Sequence, residues 1–145
     1  MTDITFYTLT DTAPQAQVSF VAKLIASKLY PTHRVWVRAP QAVCERLSGL
    51  LWTASGDTRF IAHAMADAPE ALHSSIVLAS IEASLTPSGE WHGVLINMGD
   101  VVPEYFSQFE RCVEMVAGDE TNKVLGRERF RFYKERGYTI THHKI

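Results

Sequence analysis

An aromatic ring set among cations is the feature of this chain best suited to ligand chemistry. Six of the fourteen lysine and arginine residues fall within residues 119–137, DETNKVLGRERFRFYKERG, which has the composition of a helix. At about 100° per residue, four of these cations share one stripe of the predicted helix, the basic stripe: Lys123, Arg127, Arg131 and Lys134. Phe130 projects from the same stripe. Leu125 and Phe132 lie roughly opposite and are expected to face the core, so the core does not require the Phe130 ring.

The basic stripe and Phe130 together suit a ligand that is both anionic and apolar. Guanidinium and ammonium groups bind carboxylates or phosphates, and a phenyl ring beside their aliphatic arms offers an apolar notch. A solvated helix face with Glu128 and Glu135 among the cations is an equally ordinary interpretation of the pattern. Direct binding of single-stranded nucleic acid, with a base stacked on Phe130, is a third. Two features disfavour direct nucleic-acid binding: the formal net charge of the chain is −2, and only this stripe is basic.

Composition predicts one domain of 145 residues, since 46% of the residues are apolar and the chain is short for two cores. Cys44 and Cys112 lie in apolar patterns without the spacing of a zinc site, so both are expected to be buried, reduced thiols. The first residues, MTDITFYTL, lack the basic start of a secretory signal, and no apolar run is long enough to span a membrane. The sequence therefore predicts a cytoplasmic protein with no membrane association.

Strand and helix patterns alternate along the chain, and two of the helices have recognisable starts. A helix is predicted after an Asp11/Thr12 cap, with Pro14 in its first turn, and Pro31 is expected to end it. A second begins at Pro40, with Val43, Leu47 and Leu50 facing inward, and runs to Trp52. Residues 103–109 predict a short helix, and residues 112–116 fit either a strand or its continuation. The predicted strands are residues 5–9, 34–38, 60–65, 76–81, 94–98 and 138–141.

This alternation predicts an α/β, Rossmann-like three-layer domain, with helices on both faces of a largely parallel sheet. Such a layout raises the possibility of nucleotide binding. However, the first strand-to-helix connection, LTDTAPQ, has no glycine and no lysine for phosphate, and neither GxGxxG nor GxxxxGK[ST] occurs. A degenerate nucleotide-binding enzyme that uses the strand ends stays open as an alternative.

No catalytic residue, metal site or cofactor is expected from the sequence. Four of the histidines are isolated, and His142 and His143 are adjacent in a predicted strand, so they point to opposite faces. No nucleophile motif is present. Two aromatic residues are harder to place: Trp52 follows two leucines on one helix, and Phe60 opens the next strand. Each is expected either in the core or at a protein interface.

Four segments together resemble a known family over essentially the whole chain. They are TFY near the start, Leu51-Trp52 followed by a loop and FIAH at residues 60–63, VLINM at 94–98, and above all GRERFRFYKERGY at 126–138. The family is the chi subunit of bacterial DNA polymerase III. The resemblance implies a Rossmann-like fold without nucleotide-binding or catalytic activity, and two protein partners that bind separate surfaces.

One implied partner is the acidic, Phe-ending C-terminal tail of single-stranded-DNA-binding protein (SSB). Lys123 and Arg127 stand where the family's tail-binding lysine and arginine stand, and Val116 matches an apolar residue of the pocket. Phe130 replaces a tyrosine common there, so the ring is kept and the hydroxyl is lost. Arg131 and Lys134 complete the stripe assigned to the tail. Nucleic acid would be reached only indirectly, through SSB.

The other implied partner is the psi subunit, which tethers chi to the clamp loader. Trp52 and Phe60 match the aromatic positions implicated in contacting psi. One departure from the family pattern is Ala62 before His63, where a proline is usual. In some bacteria the family also pairs with an accessory DNA helicase, through the psi surface.

Overall fold

The computed structural model describes residues 1–30, 32–53, 64–67, 74–83, 85–89 and 91–145, without the side chains of residues 52 and 53. Its strands are β1 Asp3–Thr8, β2 Val35–Ala39, β3 Ala64–Met65, β4 Ile76–Ser80, β5 Val94–Asn97, β6 Arg111–Val116 and β7 Ile140–Lys144. The α-helices are α1 Pro14–Leu24, α2 Gln41–Thr53 and α3 Glu120–Glu135. A π-helical turn, Ile25–Leu29, continues α1, and a 3-10 helix, Glu104–Gln108, precedes β6.

The strands form one sheet in the order β3-β4-β2-β5-β6-β1-β7, and every pairing among the described residues is parallel. Helices α1 and α2 cover one face, where Val21, Leu47 and Val37 share a buried apolar cluster. Helix α3 and the 3-10 helix cover the other face, where Tyr133, Phe106 and Phe6 share a second cluster. The predicted α/β fold, with helices on both faces of a parallel sheet, is confirmed.

Central strands are buried on both faces, as their composition predicts. In β2, Val35, Trp36 and Val37 are all buried, because this strand lies between β4 and β5 with helices above and below. Nearer the edge, alternate residues of a strand contact different layers. On β1, Phe6 contacts the α3 side of the sheet, whereas Tyr7 contacts Phe20 of α1.

Several predicted boundaries need correction. Ala13 is the N-cap of α1, and the Asp11 carboxylate accepts a hydrogen bond from the Ala13 N–H at 2.8 Å instead of capping the helix itself. On α2, the fully buried face is formed by residues 44, 47 and 51, while residues 43 and 50 are only half-buried. Residues 112–116 belong to strand β6, and the last strand begins at Ile140. Pro31 and residues 60–63 of the predicted third strand lie outside the described residues.

The two strands that carry the candidate site are neighbours whose following helices cross opposite faces. Strand β1 leads to α1 on one face, and β6, which pairs with β1, leads to α3 on the other. In open parallel sheets a crevice forms at the carboxyl ends of such a strand pair, and ligands commonly bind there. The crevice here lies beyond Thr8 and Val116.

Candidate functional site

Helix α3 begins at a well-formed cap. The Asp119 carboxylate accepts hydrogen bonds from the backbone N–H of Asn122 at 3.2 Å and from its side-chain amide at 2.7 Å. These bonds, the side-chain bond foremost, lower the pKa of Asp119. The helix ends before Gly137, which has a φ of 80°. The predicted helix at residues 119–137 is therefore confirmed within its caps.

The core-facing side of α3 differs from the predicted one. Its buried residues are Gly126, Arg129 and Tyr133, whereas Leu125 and Phe132 are only half-buried. At about 100° per residue, the buried side is rotated by about 80° from the predicted one. The cause is a polar contact with the sheet, because Arg129 and Tyr133 both bond to a carboxylate on β6.

That carboxylate belongs to Glu114, which is fully buried. Glu114 accepts hydrogen bonds from Arg129 Nε at 2.8 Å and from the Tyr133 hydroxyl at 2.6 Å. The side-chain amide of Asn97 donates to both carboxylate oxygens at 3.0 Å. Arg129 also donates to the carbonyl oxygens of Asp100 at 3.2 Å and Met115 at 3.1 Å. The buried ion pair of Glu114 and Arg129 thus has the additional hydrogen bonds that compensate for its removal from water.

Burial and charge shift the titration of this cluster. Burial raises the pKa of Glu114, and the charge of Arg129 and the hydrogen bonds from Tyr133 and Asn97 oppose the rise. Burial, followed by the negative charge of Glu114, raises the pKa of Tyr133. The phenol therefore stays protonated and donates to Glu114. The hydrogen bonds of Glu114 to Arg129 and Tyr133 join α3 to β6 and so determine which side of the helix faces solvent.

Gly126 allows the helix to approach the sheet closely. A Cβ at this position would lie 2.8 Å from Val116 Cγ2 and 2.9 Å from Val116 Cγ1. Both distances are shorter than a carbon–carbon contact of about 3.5 Å. Any larger residue at 126 would push the first half of α3 away from the end of β6.

Beside this contact, α3 and the sheet enclose a groove of about 390 Å³, here called the α3 groove. Its lining comes from four elements next to the crevice at the carboxyl ends of β1 and β6. The lining residues are Phe6 and Thr8 of β1, Val116 of β6, Lys123, Gly126, Arg127 and Phe130 of α3, and His142 and Lys144 of β7.

The apolar part of the α3 groove is an aromatic corner. The ring of Phe130 meets that of Phe6 edge-on, with centroids 5.4 Å apart, and Phe130 is half-buried. Val116 is buried beside Gly126. A planar apolar group could therefore contact these three side chains while its polar end meets the surrounding cations.

The cations of the α3 groove are open to solvent and weakly paired. Arg127 lies 3.8 Å from Glu120, with 65% of its side chain exposed, so the pair contributes little and leaves the guanidinium accessible. Lys123 is half-exposed and Lys144 is exposed. The other salt bridge found among the described residues joins Arg129 to Glu114 in the core. Glu128 and Glu135 form no salt bridge there.

The sequence-predicted tail-binding residues divide into two groups. Val116, Lys123, Arg127 and Phe130 come together in the α3 groove. Arg131 and Lys134 are exposed on α3 and do not belong to the described lining. The predicted psi-binding residues cannot be compared in the same way, because Phe60 and the side chain of Trp52 lie outside the described residues. The backbone at residue 52 belongs to α2.

Sequence reasoning missed five lining residues: Phe6, Thr8, Gly126, His142 and Lys144. Four of them are alternate residues of β1 and β7, and the register aligns Phe6 with His142 and Thr8 with Lys144. The alternation of residues 6 and 8, and of 142 and 144, was visible in the sequence. The pairing of strands from the two ends of the chain was not.

A larger depression, of about 710 Å³, lies next to the 3-10 helix, at the ends of β2 and β4. Its described lining holds one arginine, Arg38, and one glutamate, Glu104. The Arg38 guanidinium is already used, because it donates to the Asn97 side-chain oxygen at 3.0 Å and to the Val101 carbonyl at 3.4 Å. The α3 groove, with its three accessible cations and aromatic corner, has the more specific chemistry.

The described residues contain no group of three or more potential metal ligands. Cys44 and Cys112 are buried free thiols, as predicted. Burial raises the pKa of Cys44 to about 11, and burial also raises that of Cys112. No helix in the described part of the chain is long and apolar enough to cross a bilayer.

Comparison with known proteins supplies the identity. Residues 1–141 match the family model described as DNA polymerase III chi subunit, HolC. The chain is 28% identical over 146 residues to the DNA polymerase III subunit chi of Pseudomonas aeruginosa, and the alignment covers 100% of this chain and 98% of that protein. The chain therefore belongs to the DNA polymerase III chi subunit family and is an accessory subunit of the replication machinery.

Proposed function

We propose that this protein binds the acidic, Phe-ending C-terminal tail of SSB in the α3 groove and the psi subunit on a second surface, with no chemical step. Through these two contacts it would link the polymerase machinery to SSB-coated lagging-strand DNA. The observation that carries the proposal is the α3 groove itself, where an aromatic corner and the cations Lys123, Arg127 and Lys144 line one cavity.

The proposed tail fits this cavity in both of its chemical properties. Its terminal phenyl ring would pack against Phe6, Phe130 and Val116, which form the apolar part of the lining. Its carboxylates would meet Lys123 and Arg127, and an arginine can bind a carboxylate through two parallel hydrogen bonds. Phe130 supplies a ring but no hydroxyl, so the contact at this position would be apolar.

Arg131 and Lys134 have a different proposed role. Both lie on α3 outside the described lining of the α3 groove, where they are exposed. We propose that they attract acidic residues further from the end of the tail. Such contacts between exposed charges are screened at physiological salt and contribute less than a contact inside the groove.

The psi contact is proposed for the region of Trp52 and Phe60, on the basis of the motifs around these residues. Helix α2, which carries residue 52, covers the face of the sheet opposite α3. This arrangement supports simultaneous binding of the two partners.

An accessory DNA helicase is a further candidate partner for the psi surface. No cofactor and no direct nucleic-acid contact are required, and a cytoplasmic location follows from the role in replication.

Weak tail contacts are sufficient for this role. Many SSB tails lie along one coated strand, and a tethered subunit meets them at a high effective concentration. The proposal therefore predicts modest affinity for a single tail and a marked decrease with salt.

Titration of a labelled acidic peptide ending in Phe tests the tail site, with the same peptide lacking that Phe as a control. We expect Arg127→Ala to weaken binding by about 2 kcal/mol, or about 30-fold, because a charged anchor beside an apolar pocket is lost. Arg131→Ala is the matched control, and it should lose only a few-fold. Equal losses in the two variants would place the tail along the helix surface and not in the groove.

The ring at position 130 allows a second, independent test. Phe130→Ala should weaken the peptide, whereas Phe130→Tyr should preserve its binding, since the ring is kept. Retention of psi by both variants in a pull-down would support two separate surfaces. If Phe130→Ala binds the peptide as well as the unaltered protein does, the aromatic corner is not part of the site.

A further inference from the structure

His142 occupies a position in the α3 groove that the sequence motifs do not explain. It lies on β7, aligned with Phe6 of β1, and its ring is 6.4 Å from that of Phe130, edge-on. Its Nε2 lies 2.8 Å from the hydroxyl oxygen of Thr8, within hydrogen-bonding distance. The Thr8 contact and the Phe130 ring thus hold the His142 ring at the mouth of the groove.

The groups that face His142 are cationic or neutral. From α3 come Lys123 and Arg127, and β7 itself adds Lys144. The neighbours from β1 and β6 are uncharged: Phe6, Thr8 and Val116. No aspartate or glutamate belongs to the described lining. In the part of the chain that the structure describes, the salt bridge found for Glu120 is to Arg127, at 3.8 Å.

This arrangement links the charge of His142 to occupancy of the groove. Histidine side chains in general gain or lose a proton between about pH 5 and 8. A carboxylate beside a histidine favours the charged form of the ring, and an acidic peptide in the groove would place carboxylates beside His142. By reciprocity, protonation must then strengthen binding of the peptide.

We propose that His142 is a binding residue for the acidic tail, which it holds as a cation from the β7 side of the groove, opposite Lys123 and Arg127. The inference rests on the proposed tail site and adds a binding residue on the β7 side of it. The peptide is then held between α3 and β7, and its affinity depends on pH near neutrality.

The neighbouring residue provides a matched control. His143 lies on the opposite face of the sheet, where its ring stacks on that of Tyr7 with centroids 5.1 Å apart. His143 is a histidine on the same strand as His142, but it does not belong to the described lining of the groove. Both histidines are exposed, so His142→Gln and His143→Gln should fold equally well.

The test measures the affinity of the Phe-ending acidic peptide at about pH 5.5 and about pH 8, where the peptide carboxylates stay ionised. The unaltered protein and His143→Gln should bind about three- to fivefold more tightly at the lower pH, as for an exposed ion pair. His142→Gln should lose that dependence. Titration calorimetry in two buffers should also detect proton uptake on binding, which His142→Gln abolishes.

The outcomes separate this inference from the proposed function. If the unaltered protein fails to bind the peptide at either pH, both are wrong. If it binds and His142→Gln retains the same pH ratio and proton uptake, the tail site stands and the role of His142 is refuted. Loss of the pH ratio in His143→Gln as well would refute it too, because the dependence would then not arise in the groove.

Discussion

The close contact between α3 and β6 gives a prediction whose size follows from the geometry. In Gly126→Ala the new methyl carbon would lie 2.8 Å from Val116 Cγ2, so the helix or the valine must shift by about 0.7 Å to reach an ordinary contact of about 3.5 Å. Overpacking of this kind costs about 1 to 3 kcal/mol. Alanine in place of a helical glycine returns about 1 kcal/mol. The net change should lie between about zero and 2 kcal/mol of destabilisation.

Gly49→Ala on α2 isolates the packing cost. Gly49 is exposed, and among the described residues no heavy atom outside its own helix backbone and chain neighbours lies within 4 Å of a Cβ built there. This variant should gain the helix-propensity benefit of about 1 kcal/mol without the clash. The difference in unfolding free energy between the two alanine variants therefore estimates the overpacking at Gly126.

Urea denaturation of both variants, followed by peptide titration, provides the assay. Gly126→Ala should also weaken the acidic tail peptide, because the shift moves Lys123 and Phe130 relative to Val116. Gly49→Ala should bind normally. If the two variants are stabilised equally, Gly126 and Val116 are not in close contact, and α3 does not form the groove with β6 as described.

Three further predictions concern the core and the second surface. Arg129→Met should destabilise the fold by about 3 to 5 kcal/mol in urea denaturation, because Glu114 is left buried without its counter-charge. A smaller loss would mean that the carboxylate is neutralised by a proton or reached by water in the variant. Trp52→Ala should lose psi in a pull-down while its melting transition is unchanged, and a collapsed transition would instead place Trp52 in the core. Cys44 should react with iodoacetamide at about pH 8 far more slowly in the native protein than in urea, because burial raises its pKa to about 11. Equal rates would contradict its burial.

The order of strands and helices could be predicted because it depends on local patterns. Runs such as VWV and VLI are apolar on both faces, which occurs when helices cover both sides of a parallel sheet. Pro14 at the start of α1 and the cap at Asp119 are likewise local signals. The corrections to these elements concern their ends and caps, where a few side-chain hydrogen bonds decide.

The buried side of α3 could not be predicted, because it depends on a partner distant in the sequence. Arg129 is charged, Tyr133 is a single aromatic residue, and Gly126 has no side chain, so together they do not form an apolar stripe. Their burial follows from Glu114, which lies 15 residues before Arg129 and on a different element. Half of the groove was missed for the same reason, since Thr8 and His142 are separated by 134 residues and meet only when β1 pairs with β7.

For the residues implied by family resemblance, position and role have to be distinguished. Val116, Lys123, Arg127 and Phe130 were proposed from motif positions, and the fold places them in one cavity. Their role in tail binding, like that of Trp52 and Phe60 in psi binding, stays a prediction. The chemistry of the cavity supports the former, because its cations and its aromatic corner suit the carboxylates and the terminal ring of an acidic, Phe-ending peptide.

The most direct test of the tail site is an NMR titration of the labelled protein with the Phe-ending acidic peptide. Amide shifts should be largest at the ends of β1, β6 and β7 and along the first half of α3, around Thr8, Val116, Gly126, Arg127 and His142. The peptide without its Phe should produce weaker shifts at the same positions. Shifts concentrated around Arg38, Val101 and Tyr105, which line the larger depression, would contradict docking in the α3 groove.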